Sequence, residues 1–65
     1  MTIALKFYDL IGDDDEQNEA ILDQARNECV HCDTMVMSDV TYTVYAFRDG
    51  SIFRYGDNGY VGCES

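Results

Sequence analysis

Three cysteines and a single histidine are the residues whose types and spacing could do chemistry. Cys29, His31 and Cys32 lie together in the segment Cys-Val-His-Cys, and Cys63 lies near the end of the chain. A CxxC pair can bind zinc or exchange thiols and disulfides, and Cys63 could add a third sulfur. Structural zinc sites usually combine two such pairs, whereas here His31 stands between the thiols and would strain the chelate. The pattern favours free thiols and no metal, with Cys29 in the core and Cys32 and Cys63 partly buried. A zinc or redox module stays open as an alternative.

Catalysis finds little support in the chain. A redox pair is expected at the start of a helix, where the dipole lowers the thiol pKa, but this one lies near a predicted helix end. A hydrolase would need a nucleophile and an orienting acid around His31, and nothing marks Ser38, Ser51 or Ser65 for that role. A domain of 65 residues also has little material for a pocket and its supporting shell. We expect a protein that is not an enzyme and that carries no cofactor.

Carboxylates dominate the chain and are unevenly distributed. The formal net charge is −9, and residues 9–33 hold nine acidic residues against Arg26 alone. Acidic residues at positions 13–16 would be stabilised by the N-terminal end of a helix, which explains that run without a function. Glu19, Asp23 and Glu28 lie too deep in the predicted helix for this explanation. The run also lacks the alternating ligands and central glycine of a calcium-binding loop.

A one-sided acidic surface repels nucleic acid and anionic membranes and attracts a basic partner. Neighbouring carboxylates on a helix lie about 5–6 Å apart, which is similar to the spacing of phosphates on a nucleic-acid strand. Such an array could occupy a groove lined with Lys and Arg, as a DNA mimic that competes for a nucleic-acid-binding protein. The alternative is a solvated helix face on a domain that binds something else. The predicted partner-binding residues are Asp13, Asp14, Asp15, Glu16, Glu19, Asp23 and Glu28.

The elements that must position these residues form one domain, residues 1–65, of the α+β class. Alternating residues predict a strand at 2–8, and Asp13 with Glu16 resembles a capping box that begins an amphipathic helix at about 14–29. Residues 40–47 alternate again, and Asp49-Gly50 predicts a two-residue hairpin turn that pairs Phe47 with Ile52. Residues 60–63 form a short last strand. The expected architecture is one helix packed on a small antiparallel sheet, in the order β-α-β-β-β.

The segment 30–39 is irregular and is predicted to be a crossing loop. Its apolar residues Met35, Val36 and Met37 are expected in the core, with a soft contact patch as the alternative. A generic protein-interaction domain would instead use Tyr45, Phe47 and Ile52 on the second sheet face. Either a monomer or a homodimer is compatible with the sequence.

No charged segment precedes a long apolar run, so we expect neither a signal peptide nor a transmembrane helix. Its odd number of cysteines fits a reducing compartment, so a cytoplasmic location is expected. In size, charge and layout it resembles the small acidic anti-CRISPR proteins of phages and mobile elements that act as DNA mimics, and in particular the type I-C inhibitors. This resemblance implies a partner in a bacterial defence complex, namely the region of the large Cascade subunit that recognises the protospacer-adjacent motif. It also implies a location in the host cytoplasm.

Overall fold

The computed structural model describes residues 1–64, which form two helices followed by a four-stranded antiparallel sheet. The elements are α1 (Ile3–Leu10), α2 (Asp15–Glu28), β1 (His31–Met37), β2 (Val40–Ala46), β3 (Ile52–Gly56) and β4 (Val61–Glu64). The strands lie in chain order, so β1 and β4 form the two edges of the sheet. The predicted α+β class, with helix packed on antiparallel sheet, is confirmed. The predicted order β-α-β-β-β differs in two places, because the chain begins with a helix and because an additional strand, β1, follows α2.

The first segment is the helix α1, and the strand predicted at residues 2–8 is wrong. The same residues fit a helical stripe, because Ala4 and Phe7 are buried and Ile3 and Ile11 pack against them at three- and four-residue spacing. The side chain of Thr2 caps the helix by accepting the Leu5 amide hydrogen at 3.2 Å. A period of two and a period of 3.6 cannot be told apart reliably over seven residues.

A distant turn supplies a second cap for α1. The Asp49 carboxylate accepts the Ile3 N–H at 2.9 Å, and the buried Ser51 hydroxyl accepts the Ala4 N–H at 3.0 Å. Ser51 in turn donates its hydroxyl hydrogen to Asp49. The turn between β2 and β3 therefore satisfies the first amides of α1, which have no partner within the helix. These hydrogen bonds lower the pKa of Asp49 to about 2, with the Ser51 hydroxyl as the main cause.

Replacing Asp49 with Asn is expected to remove part of the acid dependence of stability. The pKa of Asp49 in the folded protein lies below its ordinary value of 3.8, so the carboxylate stabilises the fold at higher pH. This stabilisation is lost as the pH falls from about 4 towards about 2. Thermal melts from pH 7 to pH 2 should show a less stable variant at neutral pH whose deficit shrinks in acid. A deficit that stays constant across this range would contradict the assignment.

The helix α2 lies close to its predicted position, one residue shorter at each end. Its N-cap is Asp14, not the predicted Asp13, and the Asp14 carboxylate accepts the Glu16 N–H at 3.0 Å. Asn18 and Ala25 are buried, while Ile21 and Leu22 pack at the edge of the core. The predicted amphipathic character is confirmed.

The segment 30–39 is not a crossing loop, because it forms the strand β1 and the turn that joins it to β2. The turn residues Ser38 and Asp39 both have positive φ, 52° and 65°, as a two-residue type I′ hairpin turn requires. Neither is Gly or Asn, so the usual sequence signal of this turn is missing. Every residue of β1 is exposed. The expectation that Met35, Val36 and Met37 lie in the core is therefore wrong.

The second hairpin has a three-residue loop instead of the predicted two-residue loop. The Phe47 N–H donates to the Ser51 carbonyl and the Gly50 N–H donates to the Phe47 carbonyl, both at 3.0 Å. Gly50 has a φ of 86°, which completes a turn followed by a left-handed residue. The register shifts by one residue, so that Ala46 pairs with Ile52 and Phe47 does not.

The core lies between the helices and one face of the sheet, and it is largely aromatic. Phe7 of α1 stacks on Phe47 with ring centres 5.4 Å apart, and Tyr45 stacks on Phe53 at 5.6 Å. Tyr45 and Phe47 are almost fully buried, so their predicted role on an exposed second sheet face is wrong. The exposed face of the sheet carries the alternate residues, including Tyr42 and Ile52.

Candidate functional site: an acidic helix face

Three of the predicted site residues form a row on the outward side of α2. Glu16, Glu19 and Asp23 are all exposed. At 3.6 residues per turn they fall on the side opposite the buried Asn18 and Ala25. Their spacing of three and four residues places neighbouring side chains about 5–6 Å apart. The row therefore extends along roughly two turns of a helix whose inner side is fixed against the core.

The N-terminal end of α2 is held rigidly to the preceding loop. The Asn18 side chain accepts the Gly12 N–H at 3.0 Å and donates to the Gly12 carbonyl at 2.8 Å. This pair of bonds explains why a polar side chain is buried on the inner side of the helix. It also fixes Asp13 and Asp14, which directly follow Gly12, relative to the helix axis.

Two of the predicted residues have structural roles that reduce their availability to a partner. The Asp14 carboxylate accepts hydrogen bonds from the helix amides of Glu16 and Gln17. Glu28 accepts hydrogen bonds from the Lys6 ammonium at 3.2 and 3.3 Å, which joins α2 to α1. The structure thus separates these two acids from the remaining five, which are Asp13, Asp15, Glu16, Glu19 and Asp23.

The remaining five acids are not neutralised within the part of the chain that the structure describes. Ion pairs in residues 1–64 join Lys6 to Glu28 and Arg54 to Glu64, and the His31 imidazole lies 3.9 Å from the Asp33 carboxylate. Arg26, the one cation on α2, forms none of them. It lies instead near Tyr45, where it opposes the rise in the pKa of the phenol that burial causes. Within residues 1–64 the carboxylates of the outward row therefore have no ion-pair partner.

Asp13 and Asp15 line a cleft beside this row. The cleft has a volume of about 410 Å³ and is bounded by the loop before α2 and by residues of β3 and β4, among them Tyr55 and Val61. Its carboxylates lie at the N-terminal end of α2, and a hydroxyl and apolar side chains form its opposite wall. A long basic side chain fits these surroundings, because its stem can contact apolar atoms while its charged end meets a carboxylate.

The cysteines do not form a metal centre with neighbouring side chains in residues 1–64, where no three His, Cys, Asp or Glu side chains are grouped to hold an ion. All three cysteines are free thiols: Cys29 and Cys63 are partly buried, and Cys32 is exposed, contrary to expectation. The Cys29 thiol donates to the Arg26 carbonyl at 3.1 Å. Burial, followed by the nearby Cys32, raises the pKa of Cys29, which disfavours the reactive thiolate.

Sequence reasoning anticipated only part of a second surface, on the exposed face of the sheet, by giving a contact patch at Met35, Val36 and Met37 as the alternative to the core. Tyr42 and Tyr60 meet edge to face, with ring centres 5.5 Å apart. Together with Met35, Met37 and Arg54 they surround a depression of about 310 Å³. Residues 31–37 show no alternation of apolar and polar residues, so no local pattern marked them as a strand.

Comparison of the chain with protein-family models, with curated proteins and with solved structures gave no match. None of the helices in residues 1–64 is both long enough and apolar enough to cross a membrane. The fold and the site together describe a small acidic α+β domain that displays a row of carboxylates on one helix.

Proposed function

We propose that this protein is a non-catalytic inhibitor that binds a basic nucleic-acid-binding surface by imitating the phosphates of DNA. The acidic row of α2, formed by Glu16, Glu19 and Asp23, occupies the groove in which a DNA backbone would lie. The partner is a nucleic-acid-binding protein of a bacterial defence complex. The resemblance to type I-C inhibitors favours the large Cascade subunit, at the surface that recognises the protospacer-adjacent motif, and so a location in the host cytoplasm.

The observation that carries this proposal is that no cation in residues 1–64 forms an ion pair with the acidic row. Charged side chains that only keep a protein soluble are usually interspersed with opposite charges. Here Glu16, Glu19 and Asp23 share one side of α2, and none of them forms an ion pair with Arg26 or with another cation in residues 1–64. A fixed array of one sign raises the association rate with an oppositely charged groove and adds specificity.

The rigidity of α2 supports the same proposal. A mimic gains affinity when its charges are held in place before binding, because fewer side-chain and backbone motions are lost in the complex. The Asp14 cap, the Asn18 clamp on Gly12 and the Lys6–Glu28 pair hold the helix at its start and its end. None of these contacts uses the carboxylates of the outward row, which are therefore available to a partner.

The cleft beside the row gives the complex a point of specificity. An Arg or Lys of the partner can enter it and pair with Asp13 or Asp15, while the stem of the side chain packs on Val61. A basic residue in such a partly enclosed site contributes more than one at an open rim. Replacement of both acids with Asn is the direct probe of this contact.

Binding is expected to weaken steeply with salt and to be competed by DNA. The tagged protein, incubated with a purified type I-C interference complex, should capture the large subunit at about 50 mM salt. Capture should fall by at least about 10-fold at about 200 mM, because the contacts are between exposed charges. Duplex target DNA added in excess should displace the protein. Surface plasmon resonance with the isolated subunit measures the same salt dependence and the same competition by DNA, as changes in the dissociation constant.

Two results would reject the proposal. Capture that resists both salt and DNA would place the interface on apolar surface, away from α2. A subunit that binds duplex DNA and this protein at the same time would show that the two do not share a groove. A duplex that lacks the protospacer-adjacent motif serves as the control, since it should compete less well if that motif's binding surface is the one covered.

A further inference from the structure

The strand β1 is an open edge of the sheet. It is seven residues long, and every one of them is exposed. The opposite edge strand, β4, is only four residues long and is packed against α1. An exposed strand edge displays unpaired N–H and C=O groups that can pair with another strand.

The hydrogen-bond pattern identifies which groups face outward. The Asp57 N–H donates to the Thr41 carbonyl and the Phe47 N–H donates to the Ser51 carbonyl, so the odd-numbered residues of β2 bond towards β3. Its even-numbered residues therefore bond towards β1, where they face His31, Asp33, Met35 and Met37. The backbone groups of Cys32, Thr34 and Val36 consequently point away from the sheet.

This edge lacks most of the devices that usually prevent strand pairing. Natural edges are blunted by Lys, by Pro or by a bulge, and residues 31–37 contain neither Lys nor Pro. The single obstruction is the Asp33 carboxylate, which accepts the outward Thr34 N–H at 3.2 Å. A basic side chain that pairs with Asp33 would draw this carboxylate away and release the amide.

The side chains beside the edge define what an added strand must carry. Asp33, Met35 and Met37 lie on the exposed sheet face, and both methionines border the depression with Tyr42 and Tyr60. Met37 is 60% exposed and Met35 is 46% exposed. An added strand would place alternate side chains against these three positions, one charged and two apolar.

We propose that β1 binds an extended basic segment of a partner protein as a fifth strand of the sheet. In the antiparallel direction the segment reads apolar-x-apolar-x-Lys or Arg, with the basic residue opposite Asp33 and the apolar residues opposite Met35 and Met37. Charge complementarity selects this occupant. A second copy of the chain carries a net charge of −9 and has neither Lys nor Arg on β1, so the one group on its β1 that could pair with Asp33 is His31, which already lies 3.9 Å from the Asp33 of its own chain.

The test uses a synthetic peptide of this pattern, acetyl-Thr-Val-Thr-Val-Thr-Lys-Thr-amide, added to the isotopically labelled protein. Amide resonances of β1 should shift on titration, and the Cys32, Thr34 and Val36 amides should gain protection from hydrogen exchange. A peptide with Glu in place of Lys should bind about fivefold more weakly at low salt. Equal binding of the two peptides would overturn the charge selection, and no shift at about 1 mM peptide would overturn the site.

Variants on β1 distinguish strand addition from nonspecific hydrophobic association. Val36→Pro removes an outward N–H and leaves the pairing with β2 intact, since Pro is tolerated on edges where the N–H faces solvent. It should weaken binding about tenfold, whereas the control Val36→Thr keeps the N–H and should bind like the wild type. If Val36→Pro does not fold, Asp33→Asn tests the other contact of the added strand, the charge pair, and should abolish the preference for Lys over Glu. Equal binding by all of these variants would contradict the proposal.

The site on β1 does not depend on the function proposed for α2. Reversal of the charges on α2 should leave the peptide shifts on β1 in place, so either idea can fail alone. Resonance shifts on β1 that grow with protein concentration in the absence of peptide would show self-association, and would reassign the edge to a second copy against the proposal.

Discussion

Substitution of Glu16, Glu19 and Asp23 together with Lys is expected to weaken binding to the proposed DNA-binding partner by at least about 100-fold. The change replaces three attractions with three repulsions in a groove of Lys and Arg, and like charges placed together cost several kcal/mol. The fold should persist, because the three side chains are exposed and form no ion pair in residues 1–64. Dissociation constants by surface plasmon resonance, with circular dichroism as the check on folding, give the result.

A matched control separates the position of the charges from their number. Asp9, Asp57 and Glu64 are exposed and lie outside α2. Because Asp57 accepts the Thr41 N–H at 3.3 Å and Glu64 pairs with Arg54, circular dichroism must show that this variant is folded before its binding is compared. Their replacement with Lys changes the net charge by the same amount, from −9 to −3, since each reversal adds two units. We expect the control to bind within about threefold of the wild type at about 150 mM salt, where distant charges are screened. An equal loss in both variants would mean that net charge alone drives binding.

The structure distinguishes the acidic residues of the predicted site by the contacts that each of them makes. The composition and the spacing of residues 13–28 were enough to find the acidic face. They could not show that Asp14 caps the helix or that Glu28 pairs with Lys6, because the first depends on the exact helix start and the second on how α1 packs. The cleft at Asp13 and Asp15 was also invisible, since its other wall comes from β3 and β4.

The elements that were predicted correctly carry strong local signals. The helix α2 combines an apolar stripe with an Asp cap, and β2 has a clear alternation that ends near a Gly turn. The class of the fold followed from these elements alone. The hairpin register failed by one residue, because Asp49-Gly50 is compatible with both a two-residue and a three-residue loop. That single shift decides which residue Phe47 opposes.

The two elements that were not predicted, α1 and β1, depend on structural features that their own residue patterns do not reveal. The strand β1 depends on a turn formed by Ser38 and Asp39, both with positive φ, a conformation that most side chains avoid. Because the segment was read as a loop, its apolar residues were assigned to the core. The open edge of the sheet could not be predicted for the same reason.

In the helix α1, the conformation of a local sequence is determined by residues that are distant along the chain. Residues 2–8 suit a strand or a helix, and the chain becomes helical where Asp49 and Ser51 bond to the first amides of α1. Thr2 adds a local cap at Leu5. Two hydroxyls, one local and one distant, thus accept hydrogen bonds from neighbouring amides of the same helix turn. Their removal one at a time compares the two contributions directly.

Ser51→Ala is expected to destabilise the domain by about 1–3 kcal/mol, because it leaves the Ala4 N–H buried without a partner. A core of this size supplies only about 3–5 kcal/mol, so this is a large share of the total. Thr2→Ala, the matched control, should cost less, since water can reach the less buried end of the helix. Urea unfolding measures both, and exchange of the Ala4 amide should accelerate in Ser51→Ala. Should Thr2→Ala prove the more damaging, α1 would depend on its own cap and not on the β2–β3 turn.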